Sequence, residues 1–182
     1  GSVFFNNEYR QGAEFEFSVE LTKSDNQMGV LVAPIFDGHD LDILVVDDNA
    51  TNNSVLSGQL KTWGINVSVS SDGSAALEVL NTNFEKKDGS ISLVILDKEM
   101  PNVNGIELAK TIRNDARYAN VKLVLMTPME EKEHPEYFAQ LGFASTFHKP
   151  ATVADLVCAL ETVTNSHKNE IESSKPLRPT AS

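Results

Sequence analysis

Five short strand-like runs, each followed by a stretch with helical spacing, constrain this chain more than any other feature. The runs are Ile43-Leu44-Val45-Val46, Ile65 to Val69, Leu93-Val94-Ile95-Leu96, Val121 to Met126 and Phe143 to Phe147. Runs that are apolar at successive positions are buried on both faces, which is the environment of a parallel sheet covered by helices. Leu56, Leu60 and Trp63 share one helical face that ends at Gly64. Asp72 is placed to cap a helix through Ala76 and Leu80. Ile106, Leu108, Ala109 and Ile112 mark a third helix, and a short one starts at Pro135 and ends near Gly142. Pro150 opens the last, with Val153, Leu156, Val157, Leu160 and Val163 at spacings of three and four. The alternation predicts an α/β domain over residues 41–164, a doubly wound five-stranded parallel sheet.

The flanks differ. In residues 1–22, Phe15, Phe17, Val19 and Leu21 alternate with Glu14, Glu16, Ser18 and Glu20, a period of two that predicts a strand with one buried face. Val3-Phe4-Phe5 is its partner across a connection containing Gly12, which makes a β-hairpin. Residues 23–40 read as a linker around the apolar island Val30-Leu31-Val32. Residues 165–182 are polar with two prolines and read as a disordered tail. The stretch from Asn81 to Ser90 reads as a surface loop.

Composition excludes several classes. A net charge of −11 argues against a nucleic-acid surface and against binding to anionic membranes. No apolar run approaches the roughly 20 residues needed to span a bilayer. The single cysteine, Cys158, permits no intramolecular disulfide and fits a cytoplasmic setting. Its helical, apolar context predicts burial.

Ligands of open α/β sheets bind at the carboxyl ends of the strands. Here those ends carry Asp47-Asp48, Asp97, Thr127 and His148-Lys149-Pro150. Three carboxylates, a hydroxyl and an ammonium would therefore meet on one rim. Clustered carboxylates repel, and a divalent cation or a lysine relieves the repulsion. Mg²⁺ suits such a set, because it takes a few carboxylate oxygens, keeps waters and shares phosphate oxygens. A carboxylate is also a nucleophile toward phosphorus.

With Asp47-Asp48-Asn49 after a strand, Asp97 followed by Met100-Pro101 and Gly105, Thr127 ending the fourth strand and Lys149-Pro150 after the fifth, residues 41–164 resemble the receiver domains of two-component signalling. The resemblance implies a flavodoxin-like sheet in the order 2-1-3-4-5. It implies that Asp97 is the phosphoacceptor, that Asp48, with Asp47 directly or through water, binds Mg²⁺ together with Asp97, and that the backbone carbonyl of Glu99 completes the protein ligands. Thr127 would hydrogen-bond the phosphoryl group, Lys149 would pair with it, and the Lys149-Pro150 bond would be cis. The partners implied are a histidine kinase core and a histidine phosphotransfer protein. The family usually has an aromatic residue three positions before the lysine; this chain has Thr146, with Phe147 turned to the opposite face by strand alternation.

Residues 1–21, with Arg10-Gln11-Gly12-Ala13-Glu14-Phe15-Glu16-Phe17, resemble the final hairpin of a histidine-kinase ATP-binding domain, the layout of a hybrid histidine kinase. The remainder of such a domain is not in this sequence, so no kinase activity is expected of this segment. Two other readings compete. One is a receiver-like module that binds partners without being phosphorylated, motivated by Thr146. The other is a phosphatase of the haloacid-dehalogenase type, which would want an Asp where Glu99 stands. Structural readings of single residues are simpler: Asp47 and Asp48 as helix caps, Asp97 as a turn former, Trp63 as core, His134 and Glu130-Glu131-Lys132-Glu133 as solvated loop. His148 has no ligand-spaced partner.

Overall fold

The computed structural model of the protein describes residues 1–6, 14–21, 41–85 and 91–162. The expected linker, the tail, Gly12 and residues 86–90 lie outside the described residues. The chain divides into two compact units, Gly1–Ala33 and Pro34–Ser182.

The first unit holds the hairpin. Strands β1 (Ser2–Asn6) and β2 (Glu14–Ser18) pair antiparallel. The register sets Val3 opposite Phe17 and Phe5 opposite Phe15, so one face is apolar; Phe4 sits opposite Glu16 on the other. The Phe5 and Phe15 rings lie 5.1 Å apart. The burial expected of that face is not found: Val3 is 74% exposed, Phe5 54%, Phe15 67% and Phe17 73%. A two-stranded ribbon has no second layer of its own against which to bury a face.

The second unit runs β3 (Asp42–Val46), α1 (Ala50–Thr62), β4 (Asn66–Ser70), α2 (Gly73–Glu85), β5 (Leu93–Asp97), α3 (Gly105–Arg113), a 3₁₀ turn (Ala116–Tyr118), β6 (Lys122–Thr127), α4 (Pro135–Gln140) and β7 (Ser145–His148). A last helix, α5, occupies residues 153–162. The five strands are parallel in the order β4-β3-β5-β6-β7, which is the predicted 2-1-3-4-5 order. Alternation along the strands sorts the core into two layers. Leu44, Val46, Val94, Leu96, Leu123 and Leu125 pack with α2, α3 and α4 residues such as Leu80, Ile112 and Phe138. Ile43, Val45, Leu93, Ile95, Val124 and Met126 pack with Leu56 and Leu60 of α1 and Leu156 and Leu160 of α5. Each such side chain, once fully buried, contributes about 1.5–3 kcal/mol of hydrophobic stabilisation. Trp63 is partly buried against the second layer, as expected.

Local signals hold with four corrections. Asp72 does cap α2, accepting the Ala75 N–H at 2.9 Å, and Gly64 and Gly142 follow α1 and α4 with positive φ of 78° and 89°. The first correction concerns Asn81 to Glu85, which continue α2 instead of forming a loop. Their contacts explain it: Tyr118 donates its hydroxyl to Asn81 Oδ1 at 2.7 Å, and the Phe84 ring meets Tyr118 edge-on at 6.2 Å. Second, α5 does not begin at Pro150. Thr152 starts it through a reciprocal cap, with the Thr152 N–H donating to Asp155 Oδ2 at 2.8 Å and the Asp155 N–H to Thr152 Oγ1 at 3.2 Å. Third, Cys158 is exposed. The buried positions of α5 are Leu156, Ala159 and Leu160, and the helical twist turns residue 158 away from them. Fourth, Glu131 is not solvated: it pairs with Lys98, and only 7% of its side chain is exposed.

Gly105 opens α3 directly beneath the end of β5. A Cβ there would stand 2.2 Å from the Asp97 carbonyl oxygen and 3.2 Å from Leu125 Cδ1. Gly105→Ala is therefore expected to destabilise the domain by about 1–3 kcal/mol, as overpacking against backbone does. Urea denaturation checks this; an unchanged midpoint would mean that the loop after β5 yields freely.

Candidate functional site

The parallel register assembles the site. Val46 lies beside Leu96, so the next residues outward, Asp47 and Asp97, leave adjacent strands at the same level. On the other side Thr127 lies beside His148, which brings Lys149 to the same rim. Backbone hydrogen bonds continue past the strand ends. The Asp47 N–H reaches the Ser70 carbonyl at 3.2 Å, the Lys98 N–H that of Met126 at 2.9 Å and the Lys149 N–H that of Thr127 at 2.8 Å. The Lys149-Pro150 bond is cis, as expected.

Asp47 and Asp97 are fully buried, Thr127 is buried and Asp48 is exposed. Asp47, Asp48 and Asp97 each offer a carboxylate oxygen within 4.8 Å of the other two. The Lys149 ammonium stands 2.5 Å from Asp97 Oδ2 and 3.7 Å from Asp47 Oδ2. Asp97 Oδ1 accepts the Glu99 N–H at 3.1 Å. Burial raises the Asp97 carboxyl above its ordinary range and is the largest influence on it. The hydrogen bonds from Lys149 and the Glu99 amide pull it back, and the neighbouring Asp47 pushes it up.

Sequence reasoning missed what holds Asp47. Its Oδ1 accepts the Asn49 N–H at 2.8 Å, its Oδ2 accepts Asn52 Nδ2 at 3.0 Å and its carbonyl accepts Asn53 Nδ2 at 2.7 Å. The alternative reading of the aspartates as helix caps is not what is found: α1 is capped by Asn49, whose side chain accepts from Thr51 and Asn52. Asn52 and Asn53 in the first turn after the acidic pair were the available signal, since their side-chain amides face back toward the strand end, whereas Asn49 contributes its main-chain N–H. A second missed contact joins the loops that follow β5 and β6: the Lys98 ammonium pairs with Glu131 and lies 5.5 Å from the Phe138 ring centroid. Lys98 holds the Glu131 carboxyl below its usual range. Glu99 is exposed, Thr146 is half-buried and Phe147 is in the core beneath α5, on the face that alternation predicted. His134 is exposed and makes no side-chain cap to α4. His148 touches Thr127: its Nδ1 lies 3.0 Å from Thr127 Oγ1.

The donor set fits a divalent cation. Three carboxylates face one half-buried lysine, which leaves an excess of negative charge on a rim whose inner side is apolar. Hard oxygen donors at this spacing match Mg²⁺ chemistry.

A raised carboxyl pKa means that the folded state binds its proton more tightly than the unfolded chain. The contribution of Asp97 is then most favourable below the ordinary carboxylate range and is lost as pH rises through the shifted value. Asp97→Asn is expected to raise the melting temperature of the metal-free domain at neutral pH, with the gain shrinking as pH is lowered into the acid range. Thermal melts in chelator across that range check it; a gain that grows in acid contradicts it.

Comparison with known proteins agrees with this geometry. The response regulator receiver domain signature matches residues 43–161. Chemotaxis protein CheY-3 of Vibrio cholerae is 32% identical over 115 residues, which are 63% of this chain and 84% of that protein. Stress response regulator protein 1 of Candida albicans is 32% identical over 109 residues, 59% of this chain; the chain spans only 36% of that relative's length. Among solved structures, a receiver domain protein from Clostridium thermocellum superposes with a TM-score of 0.63 at 24% identity, covering 71% of this chain and 98% of that one. A receiver protein from Pseudomonas putida gives 0.56 at 29% identity, covering 69% and 96%. An aspartate-rich rim on a sheet of this order, matched over most of its length by the family signature, means that this chain belongs to the response regulator receiver domain family of two-component signalling.

Proposed function

We propose that Asp97 accepts a phosphoryl group from a phosphohistidine and later yields it to a histidine phosphotransfer protein or to water. The observation that carries this reading is the Lys149 ammonium 2.5 Å from Asp97 Oδ2 on a rim shared with Asp47 and Asp48. In the transfer an Asp97 oxygen forms the new P–O bond as the P–N bond of the donor breaks. The departing imidazole nitrogen keeps the electron pair. Lys149 moves from the carboxylate to a phosphoryl oxygen, and Thr127 donates its hydroxyl to another. Asp48, Asp47, Asp97 and the Glu99 carbonyl would hold Mg²⁺, which supplies neutralisation of charge on the equatorial phosphoryl oxygens. Asparagine bonds to Asp47 orient that carboxylate, and the Glu99 amide orients Asp97.

The same rim weighs against the binding-only reading, because a module that never carries phosphate has no need of a buried carboxylate aimed at a lysine. It weighs against the dehalogenase-type phosphatase as well, since position 99 holds glutamate.

We also infer that the parent protein is a hybrid histidine kinase working in the cytoplasm, with the hairpin as the end of its ATP-binding domain. Residues 23–40 then act as linker, residues 41–164 as receiver and residues 165–182 as tail. The apolar face formed by Val3, Phe5, Phe15 and Phe17 supports this, since such a face calls for a further layer. No helix among the described residues is long and apolar enough to cross a membrane. A phosphoacceptor-histidine helix encoded upstream would confirm the architecture.

Incubation with acetyl phosphate and Mg²⁺ is expected to add one phosphoryl group by intact mass, and chelation or Asp97→Asn should abolish it. Lys149→Ala should slow labelling by about a hundredfold, as loss of one preorganised charge-stabilising donor does. An unlabelled wild-type chain would sink the proposal.

A further inference from the structure

The Nδ1 atom of His148 makes two contacts that one proton must serve. It lies 3.0 Å from Thr127 Oγ1 and 3.1 Å from the Pro128 carbonyl oxygen. A carbonyl oxygen only accepts, so a hydrogen bond to Pro128 requires the proton on Nδ1. With that proton in place, Nδ1 can meet Thr127 Oγ1, 3.0 Å away, only at a lone pair of the hydroxyl, and the threonine must use its own proton elsewhere. Its remaining neighbour is the Phe147 carbonyl at 3.3 Å, beyond the ordinary range of about 2.5–3.0 Å for a hydroxyl donor. The Thr127 proton is thus weakly held, while one of its lone pairs shares the Nδ1–H with the Pro128 carbonyl. With the opposite tautomer, two lone pairs would face each other at Pro128 and the Thr127 proton would be drawn into the ring.

We propose that His148 is a positioning residue for phosphoryl binding: by donating Nδ1–H to Thr127 and Pro128, it leaves the Thr127 hydroxyl proton free to be given to the phosphoryl group. This rests on Asp97 being the phosphoacceptor. It deepens that reading with a residue whose own side chain does not reach the carboxylates. Thr127 is buried and has no other side-chain partner among the described residues, so its orientation depends on this ring. The half-buried Thr146, on the same face of β7 two residues earlier, contributes no ring.

The test is a double-mutant cycle read by the rate of acetyl phosphate labelling of Asp97 at saturating Mg²⁺. His148→Leu should slow labelling roughly three- to tenfold, the effect of one net hydrogen bond. In a Thr127→Ala background the same change should have little effect, because the hydroxyl to be oriented is gone. His148→Asn places an amide nitrogen where Nδ1 stands and should restore most of the rate. Imidazole ¹⁵N shifts should report the Nδ1–H tautomer. Equal slowing in both backgrounds, no slowing at all, or a ring protonated only at Nε2 would overturn the role of His148 while leaving Asp97 as acceptor. A wild-type chain that takes no phosphoryl group would overturn both, and that outcome is separately visible in the control.

Discussion

Two carboxylates buried side by side at the ends of adjacent strands depend on a lysine that follows a third strand and reaches both. Asp47 and Asp97 are fully buried, and the Lys149 ammonium pairs with both. Charges taken out of water cost several kcal/mol apiece unless compensated. The sheet supplies part of that compensation by order: β5 sits between β3, which delivers Asp47, and β6, which is followed by β7 and Lys149. Had β7 joined the other edge, the lysine would lie beyond β4 and far from Asp97. Topology and electrostatics are therefore one constraint here. The residual excess of negative charge is what a divalent cation would balance.

The rim is built from backbone and amides as much as from charges. Asn49, Asn52 and Asn53 hold Asp47 at three points, which directs both of its oxygens. On β5 the restraint comes from packing, since Gly105 brings α3 against the Asp97 carbonyl at a distance no side chain permits. The Lys98–Glu131 pair then ties the loop after Asp97 to the loop that leads into α4. A change at Asp97 thus has a covalent neighbour, Lys98, bonded to the surface on which Phe138 and α4 rest.

Much of this was legible in the chain. Runs such as Leu93-Val94-Ile95-Leu96 identify strands buried on both faces, and hydrophobic spacing identifies the helices between them. Since strand ends are where such sheets bind ligands, Asp47, Asp48, Asp97, Thr127 and Lys149 could be singled out from order alone. The misreadings share a physical origin. Asn81 to Glu85 are polar enough to pass for loop, yet Tyr118, distant in sequence, holds them in the helix. Cys158 stands among apolar residues but on the wrong side of the helical twist. Glu131 lies in a charged run whose other members face water, and only its pairing with Lys98 draws it inward.

By itself the sequence determined the period of each element, the chemistry at each strand end and hence the class of sheet, because those depend on neighbours a few residues apart. Only the tertiary structure decided the 2.5 Å contact of Lys149 with Asp97 and the 3.0 Å approach of His148 Nδ1 to Thr127 Oγ1. Those depend on strand register and loop packing, which bring together groups 52 and 21 residues apart. No local pattern encodes a distance of that kind.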